Sequence, residues 1–288
     1  MADTSFHDVY PPYCCYLNND TVMSLFQLLV LTVIFLAASV ISVISGSTSL
    51  ITVPVMLMFG IEPHTAIATN MLGLTLMSMG STVSFIGKGV IATQRLPLLI
   101  GLTLIGSVLG ALLVLVIPPR SISLVISIAM VVVAFLSILR RDAGLTPATG
   151  ECSQISEYCG YAATFMLGIY GGFFSGGYVT LLTAAYILLF RMTFIQAIAT
   201  TKLINFFSSL VATLIFAHQG IVNYHLGLIL GLAMFVGGII GGQLSLRLTN
   251  VWLQRIYLAV VAILVIMTLR KSQQQPPSTS LHLITALG

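Results

Sequence analysis

The feature that most constrains this chain is a series of long apolar runs that contain no charged residue. Four of them cover residues 22–44, 96–117, 122–139 and 226–246. About 20 apolar residues in a helix cross the roughly 30 Å of hydrocarbon in a bilayer. Only 6% of the residues are charged, against about 25% in soluble domains. The sequence therefore predicts an all-α polytopic membrane protein.

The apolar segments fall into two sets of five. The first set covers residues 22–44, 48–59, 65–86, 96–117 and 122–139, and the second covers 158–174, 178–190, 194–217, 226–246 and 252–269. The second segment of each set is too short for an untilted span and is typical of a broken or re-entrant helix. We predict an N-terminal segment (1–21), membrane repeat 1 (22–141), a linker (142–157), membrane repeat 2 (158–271) and a disordered tail (272–288).

An overlay of the two sets at a shift of 131 residues indicates that they are copies of one repeat. Residues 66–69 read Ala-Ile-Ala-Thr, and so do residues 197–200. Ser78 then meets Ser209, and Gly89 meets Gly220. With a one-residue gap, the pair Ser-Gly at 45–46 meets the same pair at 175–176. Each pair leads into a short segment, so the irregularity itself is duplicated.

An odd number of spans per copy predicts that the second copy is inverted relative to the first. Inversion places most cationic residues on one side of the membrane, namely Lys88, Arg95, Arg140, Arg141, Arg191, Arg247 and Arg255. The other side then holds Arg120, Arg270 and Lys271. The positive-inside rule therefore favours inversion, with both termini outside.

Lys202 stands near the middle of an apolar segment, where an ammonium costs about 2.5 kcal/mol or more. Asn205, Ser209 and Thr213 fall on its helical face and form a polar stripe. One interpretation is that Lys202 neutralises a bound anion while Asn205 and nearby hydroxyl groups donate hydrogen bonds. The alternative is a structural lysine whose ammonium is satisfied by the carbonyl groups of a broken helix.

The two breaks are rich in glycine and serine, at residues 45–49 and 171–177. They free backbone N–H groups, and the short helices after them present positive N-terminal ends, so both features favour anions. Alternatively, the glycines allow tight turns or close helix packing. The occurrence of a break in both halves favours a substrate site.

Several other classes of function lack candidate residues. The sequence contains no nucleophile elbow, zinc-protease helix or P-loop, and no membrane segment carries two acidic residues. The four cysteines have no paired spacing for a metal ion. Because the cations lie between segments, they are expected to set orientation and not to bind nucleic acid. We therefore expect no enzymatic activity, no cofactor and no metal site.

Three motifs carry a resemblance to a known family. They are residues 45–54 (Ser-Gly-Ser-Thr-Ser-Leu-Ile-Thr-Val-Pro), residues 68–70 (Ala-Thr-Asn) and residues 201–206 (Thr-Lys-Leu-Ile-Asn-Phe). In this order they resemble the sulfite exporter TauE/SafE family, from about Leu36 to Leu269. The resemblance implies a multi-pass secondary transporter of the cytoplasmic (inner) membrane that moves small sulfur-containing or organic anions, such as sulfite or sulfonates.

The chain also departs from the family pattern in three places. Ser47, Thr48 and Ser49 dilute the glycine run, and the acid often found just before it is absent around Ser42. Gly171 stands where relatives can have Asp. Because no membrane segment carries an acid in its interior, the sequence does not identify a proton relay.

We therefore predict an alternating-access transporter of small anions that sits in the lipid bilayer and binds its substrate between the two repeats. The predicted substrate-binding residues are Lys202, Asn205, Asn70, Thr69, Thr200, Thr201, Ser47, Thr48, Ser175, Gly176 and Gly177. An anion channel and a non-transporting receptor or assembly subunit remain as alternatives. The sequence leaves open whether the protein forms a homo-oligomer.

Overall fold

The computed structural model describes residues 24–46, 48–118 and 153–248, together with Trp252 and Arg255. These residues form helices and no strand, which confirms the all-α prediction for this part of the chain. The helices are α1 (Leu25–Ser45), α2 (Thr48–Met58), α3 (Pro63–Phe85), α4 (Leu96–Val116), α5 (Gln154–Phe173), α6 (Tyr178–Leu189), α7 (Phe194–His218) and α8 (Tyr224–Arg247). Ser47, the fifth segment (122–139), nearly all of the tenth (252–269) and both predicted terminal segments lie outside the described residues.

Helix length separates two kinds of element. Among the described residues, four helices are long and apolar enough to cross a membrane, namely α1, α4, α7 and α8. The short helices α2 and α6 have 11 and 12 residues, which corresponds to roughly 16–18 Å at 1.5 Å per residue. Each is therefore about half as long as the hydrocarbon layer is thick. Their bounds agree with the two short apolar segments of the sequence.

The long helices α3 and α7 begin with side-chain caps at corresponding positions of the overlay. Glu62 accepts a hydrogen bond from the backbone N–H of Thr65, and Thr193 accepts one from that of Gln196. These caps satisfy N–H groups that have no partner within the helix. α5 begins at Gln154, earlier than the apolar run that starts at residue 158. Its first turn is polar, so the apolar pattern did not include it, and it falls within the predicted linker.

The fourth helix of each half packs against the other half. α8 lies on α1 and α3, where Gly238 meets the carbonyl group of Met77 and Gly241 meets Val40. α4 lies on α5 and α7, where the hydroxyl groups of Ser107 and Ser208 are 2.7 Å apart. Small residues allow such close approach of helices. The two halves are thus interleaved.

The order of contacts along the helices gives their relative directions. Asn205 of α7 meets Ser78 of α3, and Thr213, two turns further along α7, meets Thr75, one turn earlier in α3. These two helices therefore run in opposite directions. α8 runs with α3, since Gly227 lies beside Thr69 and Gly242 beside Ser84.

A polar belt divides the apolar core along both long central helices. In α7, the buried apolar residues up to Ile204 belong to one hydrophobic cluster, and Ala212 and Phe216 belong to another. In α3, the buried apolar residues up to Met77 belong to the cluster that contains Ala212 and Phe216, and Phe85 belongs to the other. The buried belt between them contains Ser78, Ser81, Asn205, Ser208 and Ser209. The belt lies midway along α7 and in the C-terminal half of α3.

Candidate functional site

The two breaks in the helices meet inside the protein. α1 ends at Ser45, and Gly46 follows with a left-handed backbone (φ 74°). A Cβ atom on Gly46 would lie 2.5 Å from the backbone nitrogen of Thr180, in the first turn of α6. The Thr180 hydroxyl donates a hydrogen bond of 2.6 Å to the carbonyl oxygen of Ser45. The end of the first long helix and the start of the second short helix are therefore in direct contact.

The second break has a backbone that glycine favours. Ser175 and Gly177 both have positive φ, at 61° and 76°, and Gly177 is the residue before α6. Ser175 is buried. The hydroxyl group of Tyr170 donates a short hydrogen bond to the carbonyl oxygen of Gly176. Since this backbone is buried and in an irregular conformation, it fits the prediction of a break within the membrane region.

Lys202 is fully buried, with 0% of its surface exposed. Its Nζ donates a hydrogen bond of 2.8 Å to the carbonyl oxygen of Ser42, in the last turn of α1. The same oxygen accepts a 2.8 Å hydrogen bond from the N–H of Gly46. This contact is of the kind that a structural lysine would make. An ammonium has three donors, however, and Lys202 has no carboxylate partner among the described residues.

Asn205 lies one turn after Lys202, and only the nitrogen of its side-chain amide makes a hydrogen bond within the described part of the chain. Its Nδ2 donates to the hydroxyl oxygen of Ser78 at 2.6 Å, so it links α7 to α3. The amide is 1% exposed. Within the described part of the chain, its Oδ1 and the Ser42 hydroxyl make no hydrogen bond. Such unpaired buried polar groups are costly, and a bound ligand is one way to satisfy them.

Asn70 holds the first short helix against α3. Its Oδ1 accepts a hydrogen bond of 2.6 Å from Thr52, and its Nδ2 donates to Ser49 at 2.9 Å. The corresponding position in the second half is Thr201, whose hydroxyl lies 3.1 Å from that of Thr183 in α6. Each short helix is therefore tied to the following long helix by polar side chains at matching positions.

The remaining predicted ligands have other contacts. The hydroxyl of Thr200 accepts a hydrogen bond from the N–H of Ala92, and that of Thr69 from the N–H of Asn223, both at 3.1 Å. Thr48 lies 3.5 Å from the sulfur of Met77. Ser47 lies outside the described residues. A role for these four residues in substrate binding stays a prediction.

Sequence reasoning missed several residues of this region, among them Ser42, whose contribution is a backbone carbonyl. It also missed hydroxyl groups of the short helices, Ser49 and Thr52 in α2 and Thr180 and Thr183 in α6. A signal for these was present, because the overlay at 131 residues places Ser49 on Thr180 and Thr52 on Thr183. Within each short helix the two residues, Ser49 and Thr52 or Thr180 and Thr183, are three positions apart, which places their side chains on one helical face.

Comparisons with known proteins find similar sequences over most of the chain. A family model described as "Sulfite exporter TauE/SafE" matches residues 30–268. A probable membrane transporter protein of Sinorhizobium is 29% identical over 224 residues, which cover 75% of this chain and 83% of the relative. One of Escherichia coli is 28% identical over 236 residues (79% and 86%), and one of Haemophilus influenzae is 29% identical over 219 residues (73% and 80%). No solved structure matches the chain.

Proposed function

Because the chain belongs to the sulfite exporter TauE/SafE family, a family of membrane transporters, we propose that it is a secondary transporter of small anions. The observation that carries this proposal is the fully buried Lys202 at the junction of the two breaks. A cation in the membrane interior is costly and is retained where it has a function. A bound anion would offset that cost by pairing with the ammonium.

The chemistry around Lys202 suits a small oxyanion. Hydroxyl and amide groups line the polar belt, and Asn205 and Ser42 each have a buried polar atom without a hydrogen bond among the described residues. The N-terminal end of α6 faces the same junction through Thr180, and such ends attract negative charge. With the name of the family, these groups favour a sulfur-containing anion such as sulfite or a sulfonate.

Alternating access would use the two repeats as moving parts. Two hydrogen bonds support the repeat, since Thr69–Asn223 and Thr200–Ala92 occupy corresponding positions under the 131-residue overlay and connect opposite halves. The opposite directions of α3 and α7 support the inverted arrangement. In inverted-repeat transporters, the two copies exchange conformations around a central site. From the resemblance to the family, we further propose that the protein lies in the cytoplasmic membrane.

Exchange of labelled anions in proteoliposomes tests this function. The purified protein is given sulfite, thiosulfate or methanesulfonate outside the vesicles, with or without the same unlabelled anion inside. An alternating site predicts saturable uptake that the internal anion accelerates. A large current in planar bilayers without such acceleration would instead indicate a channel. Failure of all three anions to exchange would contradict the proposed function and favour a receptor or assembly subunit.

A further inference from the structure

The titratable groups around α7 are distributed unevenly between the membrane interior and its edges. α7 packs against α1, α3, α4, α5 and α6. Within their bounds, α1 and α4 contain no titratable side chain, and α3 contains His64 in its first turn. His64 contacts Glu62 and the last carbonyl groups of α4. α5 contributes Glu157, Tyr158, Cys159, Tyr161 and Tyr170, and α6 contributes Tyr178 and Tyr186.

The acidic group in this set lies at the edge and is already paired. Glu157, in the first turn of α5, accepts hydrogen bonds of 2.7 Å from Arg95 and from Tyr161. The groups in the interior are tyrosines, which ordinarily ionise near pH 10. α7 itself adds His218 at its last residue. A protonated tyrosine is neutral, so among the described residues Lys202 is the interior group whose protonated form carries a positive charge that can pair with an anion.

The contact of Lys202 with Ser42 is compatible with either protonation state. A neutral amine still carries N–H donors, so it can keep the hydrogen bond to the carbonyl oxygen of Ser42. The charged form needs a compensating negative charge in a fully buried position. No carboxylate of the described residues supplies that charge. An anion in the site would supply it, which links the two binding events.

We propose that Lys202 is the proton carrier of the transporter and takes up one proton each time a monovalent anion binds. This inference rests on the proposed anion site. On the loading side, a proton from water joins the lone pair of Nζ, and the ammonium and the anion cross the occluded state as a neutral pair. On the release side the anion leaves, and the ammonium returns its proton to water. Transport of a monovalent anion is then electroneutral.

Proton movement measured together with anion uptake tests this coupling. Proteoliposomes contain a pH-sensitive dye, and their voltage is held near zero with potassium and valinomycin. Methanesulfonate stays ionised near neutral pH, so each molecule that enters with a proton acidifies the interior by about one proton equivalent. An acidic exterior should drive net uptake. Uptake of the anion without acidification, and without any response to the pH gradient, would overturn the coupling while leaving anion transport intact.

A conservative variant tests whether Lys202 is the carrier. Arginine stays protonated, so Lys202→Arg should exchange labelled anion more slowly than the wild type, and the anion that it does take up should enter without a proton. Lys88→Arg makes the same change at an exposed position and should keep both activities. Acidification that persists in an active Lys202→Arg protein would overturn the role of Lys202. If the variant is inactive, the wild-type measurement still decides the coupling. Sulfite or thiosulfate can carry a proton of its own into the vesicle. Because wild type and variant transport the same anion, this contribution to the acidification per anion is equal in both and cancels when the two proteins are compared.

If none of sulfite, thiosulfate and methanesulfonate is exchanged by the wild-type protein, the proposed function fails, and the coupling fails with it. If an anion is exchanged and no proton follows it, the coupling alone fails. The two results are therefore distinguishable in the same vesicles.

Discussion

At the scale of single residues, Gly46 meets two requirements that other amino acids do not meet together. Its φ of 74° lies in the left-handed region, which costs roughly 1–2 kcal/mol for residues with a Cβ atom. Its Cα also faces the backbone of Val179 and Thr180, which leaves no room for a side chain. The contact between the two breaks therefore depends on the absence of a Cβ atom at this position.

A pair of glycine substitutions separates these two requirements. Gly87 has nearly the same φ, 75°, but a Cβ atom there would have open space. We expect Gly87→Ala to lower the free energy of unfolding by about 1 kcal/mol through backbone strain alone. Gly46→Ala should cost more and should reduce anion exchange, because α6 must move away from α1. Thermal unfolding in detergent and exchange in vesicles measure both effects; equal behaviour of the two variants would contradict the contact.

At the scale of elements, the directions of the helices determine where the charges lie. α3 and α8 run together and α7 runs against them. Lys88 follows the end of α3, and Arg247 is the last residue of α8. α4 runs with α7, since Ala92 meets Thr200 and Ser107 meets Ser208. Arg95, at the start of α4, therefore belongs to the same end as Lys88. Lys88, Arg95 and Arg247 thus lie at the same end of the bundle, which is what an inverted arrangement would require; the inversion itself stays a prediction.

Two matched positions report on the direction of the repeats. Lys88 and Gln219 are 131 residues apart, and each follows the end of a corresponding helix, α3 or α7. If the repeats are inverted, a cysteine at 219 should react with an impermeant maleimide added to intact cells. A cysteine at 88 should react only after permeabilisation. The parent protein has serine in place of Cys14, Cys15, Cys152 and Cys159. Labelling of both positions from the same side would mean that the repeats are parallel.

At the scale of the whole molecule, apolar patterning predicted the helices but not their partners. The segments at 48–59 and 178–190 correspond closely to Thr48–Met58 and Tyr178–Leu189, because hydrophobicity and length are local properties. The packing of α4 and α8 against the opposite half of the chain could not be predicted, since small-residue faces permit packing without specifying a partner.

In the candidate site, too, the sequence predicted which residues are unusual but not which groups they contact. Lys202 and Asn205 were conspicuous as polar residues in an apolar helix, and the structure buries both. The partner of Lys202 is a backbone carbonyl at the end of α1, which no side-chain pattern could reveal. Likewise, the hydrogen bonds that Thr69 and Thr200 accept from the backbone of the other half depend on how the halves interleave.

Anion uptake by Lys202→Ala is the most direct test of the central claim, that a small anion binds at this ammonium. A hydrogen bond to a charged group is worth about 1.5–3 kcal/mol, so exchange should fall by roughly tenfold or more. Lys88→Ala removes an exposed lysine and should leave exchange unchanged. The yield of monodisperse protein should be similar for both variants. Wild-type exchange by a well-folded Lys202→Ala protein would contradict the assignment of the site.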